Sequence, residues 1–293
     1  NVISGLAPYT YSWNPSGQAS ALAVGLSAMT YTSTVTDGNG CSTTITATIT
    51  EPPLLQPFIP ASNDIICNGG TTGWALAGAI GGTVPYSYSW SSVPSQTTST
   101  ASNLTAGVYS VIITDDNNCT AQRSITLTEA PAITTTITVL SSPLCNGDAT
   151  GSISIALSNG TAPFNYLWSP GNYTNSIVTG LTAGLYSVSI NDINGCTAQS
   201  SINITEPTLL TMSPTSTPDH CLSGDGTASI NPGGGTLNYT YSWSSSLQTT
   251  STITGLSAGT YTATLTDNNG CSISAPMVVT PIAVDTLLNP SIT

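Results

Sequence analysis

The stretch Pro85-Tyr86-Ser87-Tyr88-Ser89-Trp90 alternates aromatic and small polar side chains with a period of two. On an extended chain successive side chains point to opposite faces. Tyr86, Tyr88 and Trp90 therefore share one face, and Ser87 and Ser89 the other. A strand of this kind covers a core on one side, and the aromatic face is expected to fill it. The competing reading is an exposed aromatic platform for sugar rings.

The same hexapeptide position recurs as Pro8-Tyr9-Thr10-Tyr11-Ser12-Trp13, Pro163-Phe164-Asn165-Tyr166-Leu167-Trp168 and Asn238-Tyr239-Thr240-Tyr241-Ser242-Trp243, with Trp spacings of 77, 78 and 75. A second phrase follows each: Leu26-Ser27-Ala28-Met29-Thr30-Tyr31, then Leu104 to Tyr109, Leu181 to Tyr186 and Leu256 to Tyr261. A third closes each unit at Asp37 to Cys41, Asp115 to Cys119, Asp192 to Cys196 and Asp267 to Cys271. Three phrases in one register over four copies define a repeat. Pro-rich joints at Glu51-Pro52-Pro53, Glu129-Ala130-Pro131, Glu206-Pro207 and Thr280-Pro281 separate the copies. The expected domains are repeat 1 over 1–51, which lacks the opening third, repeat 2 over 52–130, repeat 3 over 131–206 and repeat 4 over 207–280. Residues 281–293 are expected to open a further repeat, so the sequence reads as a window on a longer array. The joints are short and stiff.

Within a repeat the period stays two: Ile133, Thr135 and Ile137 alternate with Thr134, Thr136 and Thr138. Asn-Gly pairs at 39–40, 194–195 and 269–270 sit between strand-like runs, a strong hairpin signal. Strands are expected in repeat 3 at about 132–140, 151–157, 164–168, 175–180, 184–191 and 197–205, with a short extra one near 170–174. This predicts an all-β chain of tandem Ig-like β-sandwiches of about 76 residues each, arranged as a rod. The Leu-x-Ala-Gly-x-Tyr phrase has the form of a tyrosine corner. Its Gly is expected at positive φ, with strain where Met29 replaces it.

Composition narrows function. Charged residues are 5% of the chain, against about 25% in an average soluble domain. There is no lysine and a single Arg, Arg123, and the formal net charge is −12. Phosphate neutralisation needs clustered Lys and Arg, so nucleic acid is excluded as a partner. An anionic membrane surface would repel the chain, and its short apolar runs predict no membrane insertion. A lysine nucleophile, a P-loop and a lysine isopeptide cross-link are excluded outright. Twelve Tyr and five Trp at regular positions argue against disorder.

Cys67, Cys145 and Cys221 open their repeats, and Cys41, Cys119, Cys196 and Cys271 close theirs. Pairing within a repeat joins Cys67 to Cys119, Cys145 to Cys196 and Cys221 to Cys271, leaving Cys41 over. Seven alternating strands would place the opening and closing turns at opposite ends, too far apart for a disulfide. The other pairing staples neighbours, as Cys67–Cys196 and Cys145–Cys271. The within-repeat pairing is the first expectation. Either one implies an oxidising, extracellular setting.

Little is available for catalysis. The single His, His220, is adjacent to Cys221, and neighbours on an extended chain point apart. No catalytic residue and no cofactor is expected. The carboxylates of Asp37, Asp115, Asp192 and Asp267 are weak candidates for Ca²⁺, because hard oxygens suit that ion. An Asx turn explains the same residues.

The aromatic phrase, Leu-x-Ala-Gly-x-Tyr, Asp-x-Asn-Gly-Cys and the closing Thr-Ile-Thr-Glu-Pro together resemble the SprB-type repeat of Bacteroidetes cell-surface adhesins. The resemblance runs through all four copies. It implies export to the cell surface, long arrays of sandwiches, and adhesion or gliding motility without catalysis. The expected function is the structural repeat region of an extracellular bacterial filament or adhesin stalk. Its expected partners are neighbouring repeats and other copies of the same protein, with surface polysaccharide as a further candidate. The alternative is an array of glycan-binding β-sandwich modules, accessory to a secreted enzyme.

Overall fold

In the computed structural model, residues 2–244 and 247–282 are described, and every regular element among them is a β-strand. They fall into two compact units, Asn1–Glu129 and Ala130–Thr293. The first unit begins with β1 (Thr10–Asn14), β2 (Met29–Thr36) and β3 (Ser42–Ile49), an antiparallel sheet in the order β1-β2-β3. It continues with β4 (Gln56–Asn63), β5 (Gly73–Ile80), β6 (Ser87–Trp90), β7 (Thr100–Leu104), β8 (Gly107–Thr114) and β9 (Thr120–Leu127). These pair as two sheets, β4-β5-β7 and β6-β8-β9.

The second unit repeats that order twice. Its third copy is β10 (Thr134–Ser141), β11 (Gly151–Ser158), β12 (Asn165–Ser169), β13 (Ile177–Leu181), β14 (Gly184–Asn191) and β15 (Thr197–Ile204). The fourth is β16 (Thr211–Thr217), β17 (Asp219–His220), β18 (Gly226–Gly233), β19 (Thr240–Trp243), β20 (Thr252–Leu256), β21 (Gly259–Thr266), β22 (Ser272–Val279) and β23 (Pro281–Ile282). The sheets are β10-β11-β13 with β12-β14-β15, and β16-β18-β20 with β19-β21-β22; the short β17 and β23 pair in parallel. In each complete copy, two three-stranded antiparallel sheets take the first, second and fourth long strands and the third, fifth and sixth. That is the A-B-E and C-F-G arrangement of an Ig-like sandwich. From residue 283 on, the expected further repeat lies outside the described residues.

The sheets close on a core because their inner faces are apolar at every second position. β11 alternates buried Gly151, Ile153 and Ile155 with half-buried Ser152 and Ser154. Across the sandwich, Trp168, Val188, Ile190 and Ile204 complete the same cluster. Ala75, Ala77, Ala101 and Leu104 face Trp90, Val111, Ile113 and Leu127 in the second copy. Trp90, Trp168 and Trp243 are 2%, 0% and 5% exposed. Trp13, expected to be buried with them, is half-exposed. The reason is architectural: among the described residues this copy contributes one sheet, β1-β2-β3, with no second sheet of its own against the aromatic face.

Residues 170–174 form no strand. The segment between β12 and β13 is instead an irregular crossing pinned by the aromatic strand. The Trp168 indole N–H donates to Asn175 O at 3.0 Å, and Trp168 N to Tyr173 O at 3.0 Å. Trp13, Trp90 and Trp243 donate to Ser20 O, Thr98 O and Thr250 O at the same distance. A buried indole needs an acceptor, so Trp90, Trp168 and Trp243 each fix both core and crossing. Gln96 adds a backbone-like pair, donating to Ser102 O and accepting from Ser102 N at 2.9 Å each.

The tyrosine corners are present: the hydroxyls of Tyr31, Tyr109, Tyr186 and Tyr261 donate to the carbonyls of Ser27, Thr105, Thr182 and Ser257 at 3.1, 3.0, 3.1 and 2.9 Å. The expected positive φ at the phrase's glycine occurs at Gly184, where φ is 149°, but not at Gly107 or Gly259, and the expected strain at Met29, which begins β2, is absent because its φ is not positive either. Positive φ falls one residue before the leucine, at Gly25, Asn103, Gly180 and Gly255. There the fourth strand bulges against Gly73, Gly151 and Gly226 in the three complete copies.

Candidate functional site

Two constellations recur at the ends of the sandwiches. At one end lies the turn before the last strand. Asp192 Oδ1 accepts from Asn194 N and Cys196 N at 2.9 Å each, and Oδ2 from Thr161 N at 3.0 Å. Asp267 does the same with Asn269 N, Cys271 N and Thr236 N at 2.9, 2.9 and 2.8 Å. Asp115 accepts from Cys119 N at 2.8 Å and Thr83 N at 2.9 Å. Asp37 accepts from Asn39 N and Cys41 N at 2.9 Å each, and from Leu6 N at 3.2 Å. Each carboxylate closes its own turn with one oxygen and ties the turn to the facing loop with the other.

The electrostatics follow from those donors. The Thr83 N–H, with the Cys119 and Asn117 N–H groups, outweighs burial and holds the Asp115 carboxyl below its ordinary range. Burial pushes Asp192 and Asp267 up most strongly, and the N–H groups of Thr161 and Cys196, or of Thr236 and Cys271, bring both below it. The four aspartates considered for Ca²⁺ thus point both oxygens at N–H donors. No group of three or more potential metal ligands occurs among the described residues.

At the other end, the loop after the first strand is gripped by the glutamate of the joint. Glu206 Oε1 accepts from Asn146 Nδ2 at 2.9 Å and Oε2 from Gly147 N at 2.8 Å. Glu129 holds Asn68 Nδ2 and Gly69 N at 2.8 and 2.7 Å. Sequence reasoning missed this clamp, although a signal for it exists. Asn-Gly follows Cys67 and Cys145, and where it becomes Leu222-Ser223 after Cys221 the joint glutamate becomes Thr280. In that copy Asp219 accepts from Gly224 N and Ala258 N at 2.8 and 3.1 Å, and Asp225 from His220 N at 2.7 Å. His220 pairs its ring with Asp225 at 3.3 Å.

These clamps decide the cysteines. Thr161 and Asp192 mark one end of the third sandwich, and Asn146 and Glu206 the other, with the eight residues of β15 between them. Eight residues span about 25 Å. Cys145 and Cys196 are therefore at opposite ends, because the 170–176 crossing supplies a seventh traverse. Pairing within a repeat is corrected accordingly. Cys145 is bonded to Cys271, with Cα atoms 5.6 Å apart, across the joint between the third and fourth copies. Asn269 Nδ2 donates to Leu144 O at 2.9 Å beside the bond, and to Thr236 Oγ1 in its own copy at 2.9 Å. Cys67 and Cys196 are each engaged in a disulfide. Cys119 and Cys221, expected in disulfides, are exposed free thiols, as is Cys41.

The aromatic row is not a platform. Trp90 lies in the core with Tyr86 and Tyr88 packed partly buried against it, and the outward residues of β6 are Ser87 and Ser89. The Tyr86 and Tyr239 hydroxyls donate to Gly81 O and Gly234 O, closing local loops.

Among solved structures, the chain resembles the N-terminal eight Ig domains of Down Syndrome Cell Adhesion Molecule (TM-score 0.37, 11% identity), over 93% of this chain and 45% of that one. It also resembles the three N-terminal domains of the bacteriophage RB49 Highly Immunogenic Outer Capsid protein (TM-score 0.35, 15% identity, 79% of this chain and 100% of that one). The titin I-band fragment I67–I69 scores 0.33 at 16% identity, over 80% of this chain and 100% of that one. No curated protein matches. The SprB repeat family model matches residues 60–94, 137–173 and 213–248. Each matched stretch holds the opening cysteine and the aromatic strand, so the similarity to the SprB repeat falls at the same place in three successive copies.

Proposed function

We propose that the chain is the structural repeat region of an extracellular bacterial surface filament or adhesin stalk, with no catalysis of its own. The observation that carries this reading is the Cys145–Cys271 bond across a joint, with Asn269 donating to Leu144 O beside it. A covalent tie between facing ends of consecutive sandwiches passes tension from one to the next without loading the joint alone. The other polar chemistry has the same use: aspartates close turns, glutamates clamp loops, and indoles pin crossings. Such bonds form and persist in an oxidising compartment, which fits the cell surface. No helix among the described residues is long and apolar enough to cross a membrane. The SprB relationship adds a role in adhesion or gliding motility of Bacteroidetes. Other copies of the chain and surface polysaccharide are the partners this role calls for. Antibody labelling of intact, unpermeabilised cells tests the placement, and attachment of cells lacking the gene tests the role. Label confined to permeabilised cells would overturn the proposal.

A further inference from the structure

Six Asn-Gly dipeptides occur in the chain, at 39–40, 68–69, 146–147, 159–160, 194–195 and 269–270. Asn-Gly is prone to deamidation, because glycine has no side chain to hinder its own backbone nitrogen. In that reaction the glycine N–H loses its proton and the nitrogen attacks Asn Cγ. A bond from Cγ to the glycine nitrogen forms, the Cγ–Nδ2 bond breaks, and ammonia leaves. Water then opens the succinimide to aspartate or isoaspartate. The attack needs Cγ turned onto a nitrogen whose proton can leave.

The structure sorts the glycine N–H groups into three kinds. Gly69 N and Gly147 N donate to carboxylates, Glu129 Oε2 at 2.7 Å and Glu206 Oε2 at 2.8 Å. The other oxygen of each glutamate holds the asparagine amide, Asn68 Nδ2 at 2.8 Å and Asn146 Nδ2 at 2.9 Å. Asn146 Nδ2 also donates to Pro207 O at 3.1 Å. Gly40, Gly195 and Gly270 donate to neutral carbonyls, those of Asp37, Asp192 and Asp267, at 3.0, 3.1 and 3.1 Å. Gly160 N has no acceptor among the described residues. Asn159 beside it is exposed, and one bond ties its amide, Nδ2 to Ala132 O at 3.0 Å.

A carboxylate on the glycine N–H opposes the reaction twice. As a like charge it disfavours the developing amide anion. Its second oxygen keeps the asparagine amide from turning onto the nitrogen. In the fourth copy Thr280 stands in place of the joint glutamate, and Leu222-Ser223 in place of Asn-Gly, so the vulnerable dipeptide occurs with its guard. We infer that Glu129 and Glu206 protect Asn68 and Asn146 from deamidation, and that Asn159 is the first asparagine of the chain to be modified in this way. Deamidation at Asn146 would set a new carboxylate against Glu206 and release the loop that carries Cys145. At Asn159 it would cost the tie to Ala132 O.

The test is ageing of the folded chain at mildly alkaline pH, with mass mapping of the aspartate and isoaspartate peptides over time. The reduced chain in urea gives the six unprotected rates. Folded, Asn159 is expected to react fastest, and Asn68 and Asn146 slowest. Glu206→Gln is expected to speed Asn146 roughly ten- to hundredfold, the worth of one hydrogen bond to a charged group, while the other five rates hold. Glu129→Gln should do the same at Asn68, an independent variant in the other unit. Asn146 reacting as fast as Asn159 in the folded chain overturns the inference. So does Glu206→Gln without effect at Asn146, or with equal acceleration at all six sites, the mark of a general loosening. Any of these results would leave the stalk reading standing, since that reading rests on the staple across the joint.

Discussion

Replacing Trp168 with Phe separates the two jobs of the aromatic strand. Trp168 is fully buried, and its indole N–H donates to Asn175 O at 3.0 Å, holding the 170–176 crossing to the core. Phe keeps a ring in the cavity but is smaller by roughly 40 Å³, worth about 1 kcal/mol at ~24 cal/mol per Å³. It also leaves the Asn175 carbonyl without its donor, which costs about 1–3 kcal/mol. The sum is about 2–4 kcal/mol. A 76-residue domain has on the order of 4–11 kcal/mol of stability at ordinary per-residue values. At roughly 4–8 °C per kcal/mol, the melting transition of the third sandwich should fall by about 8–32 °C. Calorimetry of the intact chain measures this, and hydrogen exchange should show protection lost first over 170–176. Trp13→Phe is the internal control: Trp13 makes the equivalent bond to Ser20 O at 3.0 Å but is half-exposed. Its cost should be under about 1 kcal/mol, since little buried volume is lost and water can reach the carbonyl. Equal effects at the two positions, or unchanged exchange over 170–176, would refute the reasoning.

Other perturbations probe the ends of the sandwiches. Glu206→Gln weakens the charged grip on Asn146 and Gly147 that presents Cys145, so Cys145–Cys271 should be reduced faster by dithiothreitol, as alkylation time courses would show. Gly151→Ala places a Cβ 2.7 Å from Leu181 O, against backbone that cannot yield. A loss of about 1–3 kcal/mol in denaturant titration is expected, as for overpacking in general. Asp115, Asp192 and Asp267 ionise below the ordinary 3.8 when folded. The folded chain thus keeps carboxylates that the unfolded chain would protonate. Their contribution is complete above that value and drains away as pH falls below it. Melting temperature should be flat near neutrality and drop in acid, and Asp192→Asn should flatten part of the drop.

Local alternation and phrase register determine most of the sandwich from the sequence alone. The six strands of the third copy lie within a few residues of their expected places, because a strand with one buried face must repeat every two residues. The tyrosine corners were equally legible, since the hydroxyl reaches back only four residues. What needed tertiary structure was whatever depends on which end of a sandwich a loop occupies. The crossing at 170–176 carries no ladder and no periodicity, yet it adds the traverse that moves Cys196 to the far end from Cys145. Spacing along the chain favoured pairing within a repeat, but a disulfide requires Cα atoms within about 7 Å in space. The nearest partner of Cys145 lay 126 residues away at Cys271, across a joint held by Asn269, Leu144 and Glu206. The burial of Trp13 was likewise undecidable from its phrase, because burial belongs to the opposing sheet and not to the strand that carries the residue.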